Sequence, residues 1–293
     1  MNISILTATY NHPSNLEVLY NSLKNQSDRN FVWIIVDDGS REDSNTNVLK
    51  FTSENIIRIE YIYQHNSGKS AAINRGIDLA DSINSDFILI VDDDEDLNND
   101  AISKVKTYYN NYKGKCSCIN FNRADLSGNP LTNGQEINEF LMSFQKHKSL
   151  RLHADGYVGY FMNSIRNIRF PLYEGEKYIG PSVLMMLSST KLNILWASEV
   201  LGKTEYLEGG ITKQGRKLRV RNPKGMIFHA SLMMHPDSSI RTKIGYSTYA
   251  YAYMYYAGLS KAELKNSGID MSVFFPMKVT GRFLALYWKY KLA

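Results

Sequence analysis

Cysteine is scarce in this sequence of 293 residues, with only 2, and there are just 7 prolines. The cysteines, Cys116 and Cys118, form a C-x-C pair without companions. A structural zinc site or a disulfide scaffold needs more. Alternate side chains of a strand point to opposite faces, so the two sulfurs are expected to diverge as ordinary strand residues in a reducing compartment. No run approaches the roughly 18 apolar residues of a membrane-spanning helix; the longest late run is Phe283 to Trp288. The first residues turn polar by Thr7 and lack the basic start and apolar stretch of a signal peptide. A cytoplasmic protein is therefore expected, unless the chain rests on a membrane. No H-E-x-x-H spacing gathers the 6 histidines, no G-x-S-x-G elbow marks an acyl hydrolase, and no G-x-G-x-x-G follows the first strand as in a dinucleotide dehydrogenase.

What is present is globular in character. The chain is 43% hydrophobic and 22% charged, which excludes disordered and collagen-like classes and allows a sizeable core without covalent staples. The net charge of +5 conceals an asymmetry. Residues 1–100 carry 7 basic and 17 acidic side chains, whereas residues 201–293 carry 15 and 5. A basic last third is either a solvated face or a surface turned to something anionic.

The first hundred residues alternate between strand and helix patterns. Ile3–Thr9, Phe31–Val36, Ile56–Tyr63 and Phe87–Val91 are β-rich runs. Between them, Leu16, Leu19, Tyr20 and Leu23 recur at helical spacing, as do Ile73, Ile77 and Ala80; Ile102, Val105 and Tyr109 follow the last run. Apolar strands separated by amphipathic helices predict a parallel sheet covered on both faces, with ligands at the carboxyl ends of its strands. Polar motifs sit at those ends: Thr9-Tyr10-Asn11, Asp37-Asp38-Gly39-Ser40, His65-Asn66-Ser67-Gly68-Lys69 and the cluster Asp92 to Asp96. Residues 116–225 are less regular. Residues 226–293 read as helical and aromatic, with Tyr246, Tyr249, Tyr253 and Tyr256 at core-facing spacing.

The acidic cluster follows a buried strand. Its density favours a hard cation, Mg²⁺ or Mn²⁺, held by one or two carboxylates together with substrate phosphates. The plainer reading is a solvated loop ahead of a helix. Asp38 has the chemistry to accept hydrogen bonds from a base or a ribose hydroxyl, and the same stretch read alone is a turn. Lys69 stands where a helix N-terminus would face the rim, a suitable place for a diphosphate.

Taken in order, Thr9-Tyr10-Asn11, Gln26, Asp37-Asp38-Gly39-Ser40, Asn66-Ser67-Gly68, Asn74-Arg75-Gly76 and Asp92-Asp93-Asp94 resemble the family 2 glycosyltransferases of the GT-A fold. Asp155-Gly156, Phe170-Pro171, Glu174 to Tyr178, Gly209-Gly210-Ile211-Thr212 and Asn222-Pro223-Lys224-Gly225 extend the likeness toward bacterial polysaccharide-type members. The resemblance implies an α/β fold with a mixed, mainly parallel, Rossmann-like sheet flanked by helices. Residues 1–230 would form the catalytic domain, divided into a nucleotide-sugar half (1–115) and an acceptor half (116–230). Residues 231–293 would be a helical extension.

The same resemblance implies an inverting, metal-dependent glycosyltransferase. It would move a sugar from a nucleoside-diphosphate sugar, with UDP as the expected carrier, to a saccharide or lipid-linked acceptor in surface polysaccharide synthesis. Thr9, Tyr10, Asp38, Lys69, Asp92 and Asp93 would bind the donor. Asp94, with Asp92, would hold Mg²⁺ or Mn²⁺. Where many members carry a Glu-Asp pair whose Asp is the catalytic base, this sequence has Gly180-Pro181-Ser182. The base is accordingly sought among Glu176, Asp155 and Glu174, in that order.

Two other classes fit parts of the pattern: a nucleotidyltransferase acting on sugar phosphates, and a non-enzymatic polyanion-binding protein. The first would normally show a glycine- and arginine-rich loop after the opening strand, which is missing. The second has no recognised nucleic-acid motif, and the acidic rim would repel phosphate unless a metal intervened. The basic, aromatic segment 273–293 suits either peripheral contact with the cytoplasmic face of the inner membrane or a helix packed on the protein with a basic outer side.

Overall fold

A computed structural model describes residues 1–41, 44–125, 127–131, 138–152, 156–203 and 211–292. Its first half runs β1 (Ile3–Thr9), α1 (Pro13–Lys24), β2 (Val32–Asp37), α2 (Ser44–Ser53), β3 (Arg58–Tyr63), α3 (Lys69–Ser82), β4 (Phe87–Ile90), β5 (Asp96–Leu97) and α4 (Ala101–Tyr112). Then come β6 (Cys118–Ala124), β7 (Phe140–Met142), α5 (Phe144–Ser149), β8 (Tyr157–Phe161), α6 (Met162–Ile165), α7 (Ser182–Ser188) and β9 (Ile194–Lys203). Five helices follow: α8 (Ile211–Val220), α9 (Pro223–Leu232), α10 (Ile240–Ala257), α11 (Lys261–Asn266) and α12 (Lys278–Leu292). The chain divides into two compact units, one of residues 1–142, 153–169 and 187–205, the other of residues 143–152, 170–186 and 206–293.

The first unit is built on one mixed sheet. Among the described residues its order is β3-β2-β1-β4-β8-β6-β9-β5, with β7 also on β9. Strands β1 to β4 pair in parallel, with Thr9 opposite Asp37 and Asp37 opposite Tyr63. This register brings the ends of β1, β2 and β3 to one level, so the polar motifs that follow them share an edge. Antiparallel pairing enters with β8, which lies between β4 and β6.

Burial explains the strand runs. Ile3 and Ile5 face a core formed with Leu16, Leu19, Tyr20 and Leu23 of α1 and Ile102, Val105 and Tyr109 of α4. Thr7 shares that face and accepts the Trp33 indole N–H at 3.0 Å. The ring of Tyr20 stacks on Phe51 with centroids 4.2 Å apart. On the opposite face α3 comes close to β1 because Gly76 has no side chain: a Cβ there would lie 2.1 Å from Leu6 Cδ1. Cys116 and Cys118 are both buried free thiols, and burial pushes each up to about 12.

The second unit is helical. Its core gathers Met226, Ile227 and Ala230 of α9, Ala250 to Met254 of α10, and Trp288 of α12. The tyrosine stripe of α10 wraps Trp288: Tyr249, Tyr253 and Tyr256 have ring centroids 6.3, 4.9 and 6.4 Å from it. Ser239 and Ser260 cap α10 and α11, the latter in a reciprocal capping box with Glu263. Gly258 ends α10 in the left-handed region at φ 69°.

His229 of α9 sits 3.1 Å from Ser182 Oγ, and burial lowers it to about 4. Because the unfolded chain binds this proton near the ordinary value of 6.5 and the folded chain does not, the His229 contribution is complete above pH 6.5. It is lost as pH falls toward 4, on the order of 3 kcal/mol in all. Urea melts between pH 7 and pH 4.5 should show this loss, and His229→Gln should flatten it. An equally steep pH dependence in the variant would contradict the assignment.

Candidate functional site

Four loops leave the parallel edge, and hydrogen bonds join them. After β1, Asn11 takes the left-handed region at φ 57°. Its amide N–H donates to Ser40 Oγ, and its side-chain oxygen accepts the Arg41 N–H, both at 2.8 Å. After β2, Asp38 is buried, and both its carboxylate oxygens are engaged. One carboxylate oxygen accepts from Gln64 Nε2 at 2.7 Å and the Ser67 N–H at 2.8 Å; the other accepts the Gly68 N–H at 2.8 Å. Gly39 lies at φ 86°, and a Cβ on it would come within 2.6 Å of the Asn66 nitrogen. Asp38 and Gly39 thus shape the loop that delivers Lys69 to the start of α3.

Of the five consecutive acidic residues, Asp92 to Glu95 part company in three dimensions. Asp92 Oδ1 pairs with Lys69 Nζ at 2.6 Å. Burial opposes both charges, yet their attraction wins, raising the lysine and lowering the aspartate. Asp93 Oδ2 accepts the Thr9 hydroxyl at 2.7 Å and lies 3.4 Å from His12 Nδ1, a hydrogen bond that raises the histidine. Glu95 is 1% exposed and meets Arg123 Nη2 at 2.5 Å while accepting the Asp92 N–H at 2.8 Å. Burial pushes Glu95 up to about 8, with Arg123 acting against it. Arg123 also lies over the Tyr157 ring, 4.9 Å from its centroid. Asp94 is exposed and, among the described residues, forms no ion pair. Partial burial and the charges of Asp92 and Asp93 raise it.

This donor set suits a hard divalent cation. Among the described residues no three His, Cys, Asp or Glu side chains form a ready cage. A cation here would therefore take one or two carboxylates and complete its shell with ligand oxygens and water, as Mg²⁺ and Mn²⁺ do. Asp94 is an exposed carboxylate of this loop that, among the described residues, is in no ion pair.

The residues expected to meet the donor thus gather in the first unit: Thr9, Tyr10, Asp38, Lys69, Asp92, Asp93 and Asp94 all lie at the edge where the parallel strands end. Tyr10 is 40% exposed there. Sequence reasoning missed Arg123 and Gln64. The only available signal was that a buried carboxylate must have a partner.

The three carboxylates considered as bases fare differently. Asp155 lies outside the described residues, as do Gly209 and Gly210 of the later motif. Glu174 is exposed. Glu176 Oε1 accepts the Lys224 N–H at 2.8 Å and its Oε2 the Gly225 N–H at 2.9 Å, so it holds the first turn of α9. Asn222 completes this clasp by accepting the Lys177 and Tyr178 N–H groups at 2.8 and 3.0 Å.

Two substitutions test this description. Glu176→Ala leaves two helix N–H groups without partners and should cost about 1–3 kcal/mol in a thermal or urea melt. Unchanged stability would show that the clasp is not needed. Arg123→Met leaves the Glu95 carboxyl without its partner in the interior and should cost about 1–3 kcal/mol. Restoration by Arg123→Met with Glu95→Gln would identify the unpartnered carboxyl as the cause, and no restoration would count against it.

With this geometry in place, comparison with known proteins is informative. The family model described as "Glycosyl transferase family 2" matches residues 4–169. The putative glycosyltransferase EpsH of Bacillus subtilis (strain 168) is 33% identical over 93 residues, 32% of this chain and 26% of EpsH. The aligned part thus spans about a quarter of that relative's length. Among solved structures, S. aureus TarS 1–349 in complex with UDP-GlcNAc is similar with a TM-score of 0.65 at 13% identity, over 99% of this chain and 92% of that one. The mannosyltransferase PcManGT from Pyrobaculum calidifontis, in complex with GDP-Man and Mn²⁺, gives 0.57 at 13% identity over 97% and 84%.

Proposed function

Since the chain belongs to glycosyl transferase family 2 and has the GT-A fold, we propose that it transfers a sugar from a nucleoside-diphosphate sugar, UDP-linked in the first instance, to a saccharide or lipid-linked acceptor in surface polysaccharide synthesis. The observation that carries this reading is the pairing of Lys69 with Asp92 beside the exposed Asp94, at the edge where four strands end. An ammonium and a free carboxylate at one rim are what a metal diphosphate requires: one group for its oxygens, one for its cation. That the structure of PcManGT holds GDP-Man and Mn²⁺ supports the same chemistry.

In this reading Tyr10 offers its exposed ring to the base of the donor, and Thr9 keeps Asp93 turned inward. Asp38 acts largely through the loop it organises, holding Ser67 and Gly68 so that Lys69 begins α3 at the diphosphate. Asp94, with Asp92, would hold Mg²⁺ or Mn²⁺, which when bound offsets the negative charge gathering on the departing diphosphate. Lys69 adds a fixed positive charge to the same end. The acceptor hydroxyl attacks from the opposite side, with inversion, and a carboxylate removes its proton. Such a base contributes roughly 10²–10⁴-fold. Asp155, Glu174 and Glu176 remain its candidates, and Glu176 would serve through the lone pairs that its helix N–H contacts leave.

A panel of UDP- and GDP-sugars, incubated with the protein and Mn²⁺ or Mg²⁺, tests the proposal by release of nucleoside diphosphate. One donor should turn over in a metal-dependent way. Asp94→Ala, an exposed site where folding should be untouched, should reduce that turnover on the order of 10²-fold or more. Full activity of Asp94→Ala, or of the native protein in excess EDTA, would overturn the metal assignment.

A further inference from the structure

We infer that α12 carries a docking face for an anionic lipid surface. The helix has two apolar sides, and only one is used within the second unit. Gly281, Ala285 and Trp288 are buried. Gly281 brings α12 onto α10, since a Cβ there would lie 2.4 Å from Tyr251 Cβ. Val279, Phe283, Leu286, Tyr287 and Tyr290 are 69, 69, 56, 55 and 80% exposed. At 3.6 residues per turn, the centre of this second set lies about 180° from the centre of the first. The rotational setting of the helix is therefore fixed by its inner side, and the outer stripe is presented in full.

Charge indicates the occupant. Lys278, Arg282 and Lys289 run along one flank of the stripe and Lys291 lies on the other; all four are exposed. Residues 271–293 contain no Asp or Glu. A second copy of the chain, brought face to face, would set cations against cations whichever way it ran, since both flanks are basic and neither carries a carboxylate. An anionic bilayer satisfies both features. Phenylalanine and tyrosine enter the interface, where their amphipathic rings are favoured, and the lysines and arginine meet headgroup phosphates. Among the described residues no helix is long and apolar enough to cross a membrane, so the contact is one of a helix lying on the surface.

The inference rests on the proposed function only in that a lipid-linked acceptor would give such a contact a purpose. Its test involves neither donor nor turnover, so its failure and the failure of that proposal are distinguishable. The full chain is sedimented with vesicles of phosphatidylcholine, with and without phosphatidylglycerol, and its mass in solution is measured alongside. Binding should require phosphatidylglycerol. Phe283→Ser, Tyr287→Ser and Tyr290→Ser combined, all at exposed positions, should abolish it while leaving the thermal melt unchanged. Lys278→Gln, Arg282→Gln and Lys289→Gln combined should weaken it on the order of tenfold or more. Absence of binding by the native chain would overturn the inference, as would binding indifferent to both sets. A native dimer that the apolar set converts to monomer, without vesicle binding, would assign the stripe to a second copy instead.

Discussion

The ion pair between Glu95 and Arg123 is the contact on which the acidic loop depends. Five adjacent acidic residues cannot all face one point, because their mutual repulsion would protonate some and drive the rest apart. The fold separates them. Glu95 turns inward and meets a guanidinium that also rests on the Tyr157 ring. Its second oxygen takes the Asp92 N–H, which fixes the backbone of the loop three residues earlier. With that anchor set, Asp92 meets Lys69, Asp93 meets Thr9, and Asp94 is left outward. A buried pair of this kind need not add to stability, since removing two charges from water is costly. Its value here is geometric, because it decides which carboxylate remains free.

A comparable economy governs the loop after β3. Asp38 spends three acceptor positions on Gln64, Ser67 and Gly68. Gly39 allows the approach to Asn66 that a side chain would block. The Asp-Asp-Gly-Ser stretch therefore serves first as the support of its neighbour, and any contact it makes with a ligand comes through the lone pairs that remain. Asp38 illustrates how a residue singled out by its motif can owe its place as much to what it builds as to what it touches.

The elements that were legible before the structure are those whose pattern is set by burial on both sides. Strands β1, β2 and β4 have parallel neighbours and helical cover, so they read as continuous apolar runs. Helix α1 was visible because Leu16, Leu19, Tyr20 and Leu23 are all buried. Helix α2 was not, because its sequence SNTNVLKFTS is polar and poor in strong helix formers, and of its residues 46–53 Val48 and Phe51 alone join the core. Strands β5 and β7 are two and three residues long, too short for any period to show. Of the site, the strand-end motifs were legible because their positions are local. The Glu95–Arg123 pair was not, because 28 positions of chain separate its members and only the fold brings β6 beneath the acidic loop.

Helix α12 shows the limit of periodicity from another side. Its sequence is apolar around most of its circumference, and such a pattern says that a helix is covered without saying by what. Two readings follow from it, a packed helix and a membrane-facing one, and on the sequence alone they are alternatives. The structure makes them compatible by giving each its own side. Trp288, with Ala285 and Gly281, is used inward, and the tyrosines of α10 close around it. The residues left over are not scattered: they fall on one line with a cationic border. Chance exposure would distribute apolar side chains among polar ones, whereas a five-residue stripe opposed to the packed face means that the helix has two partners to satisfy. One is α10, and the anionic surface proposed above would be the other.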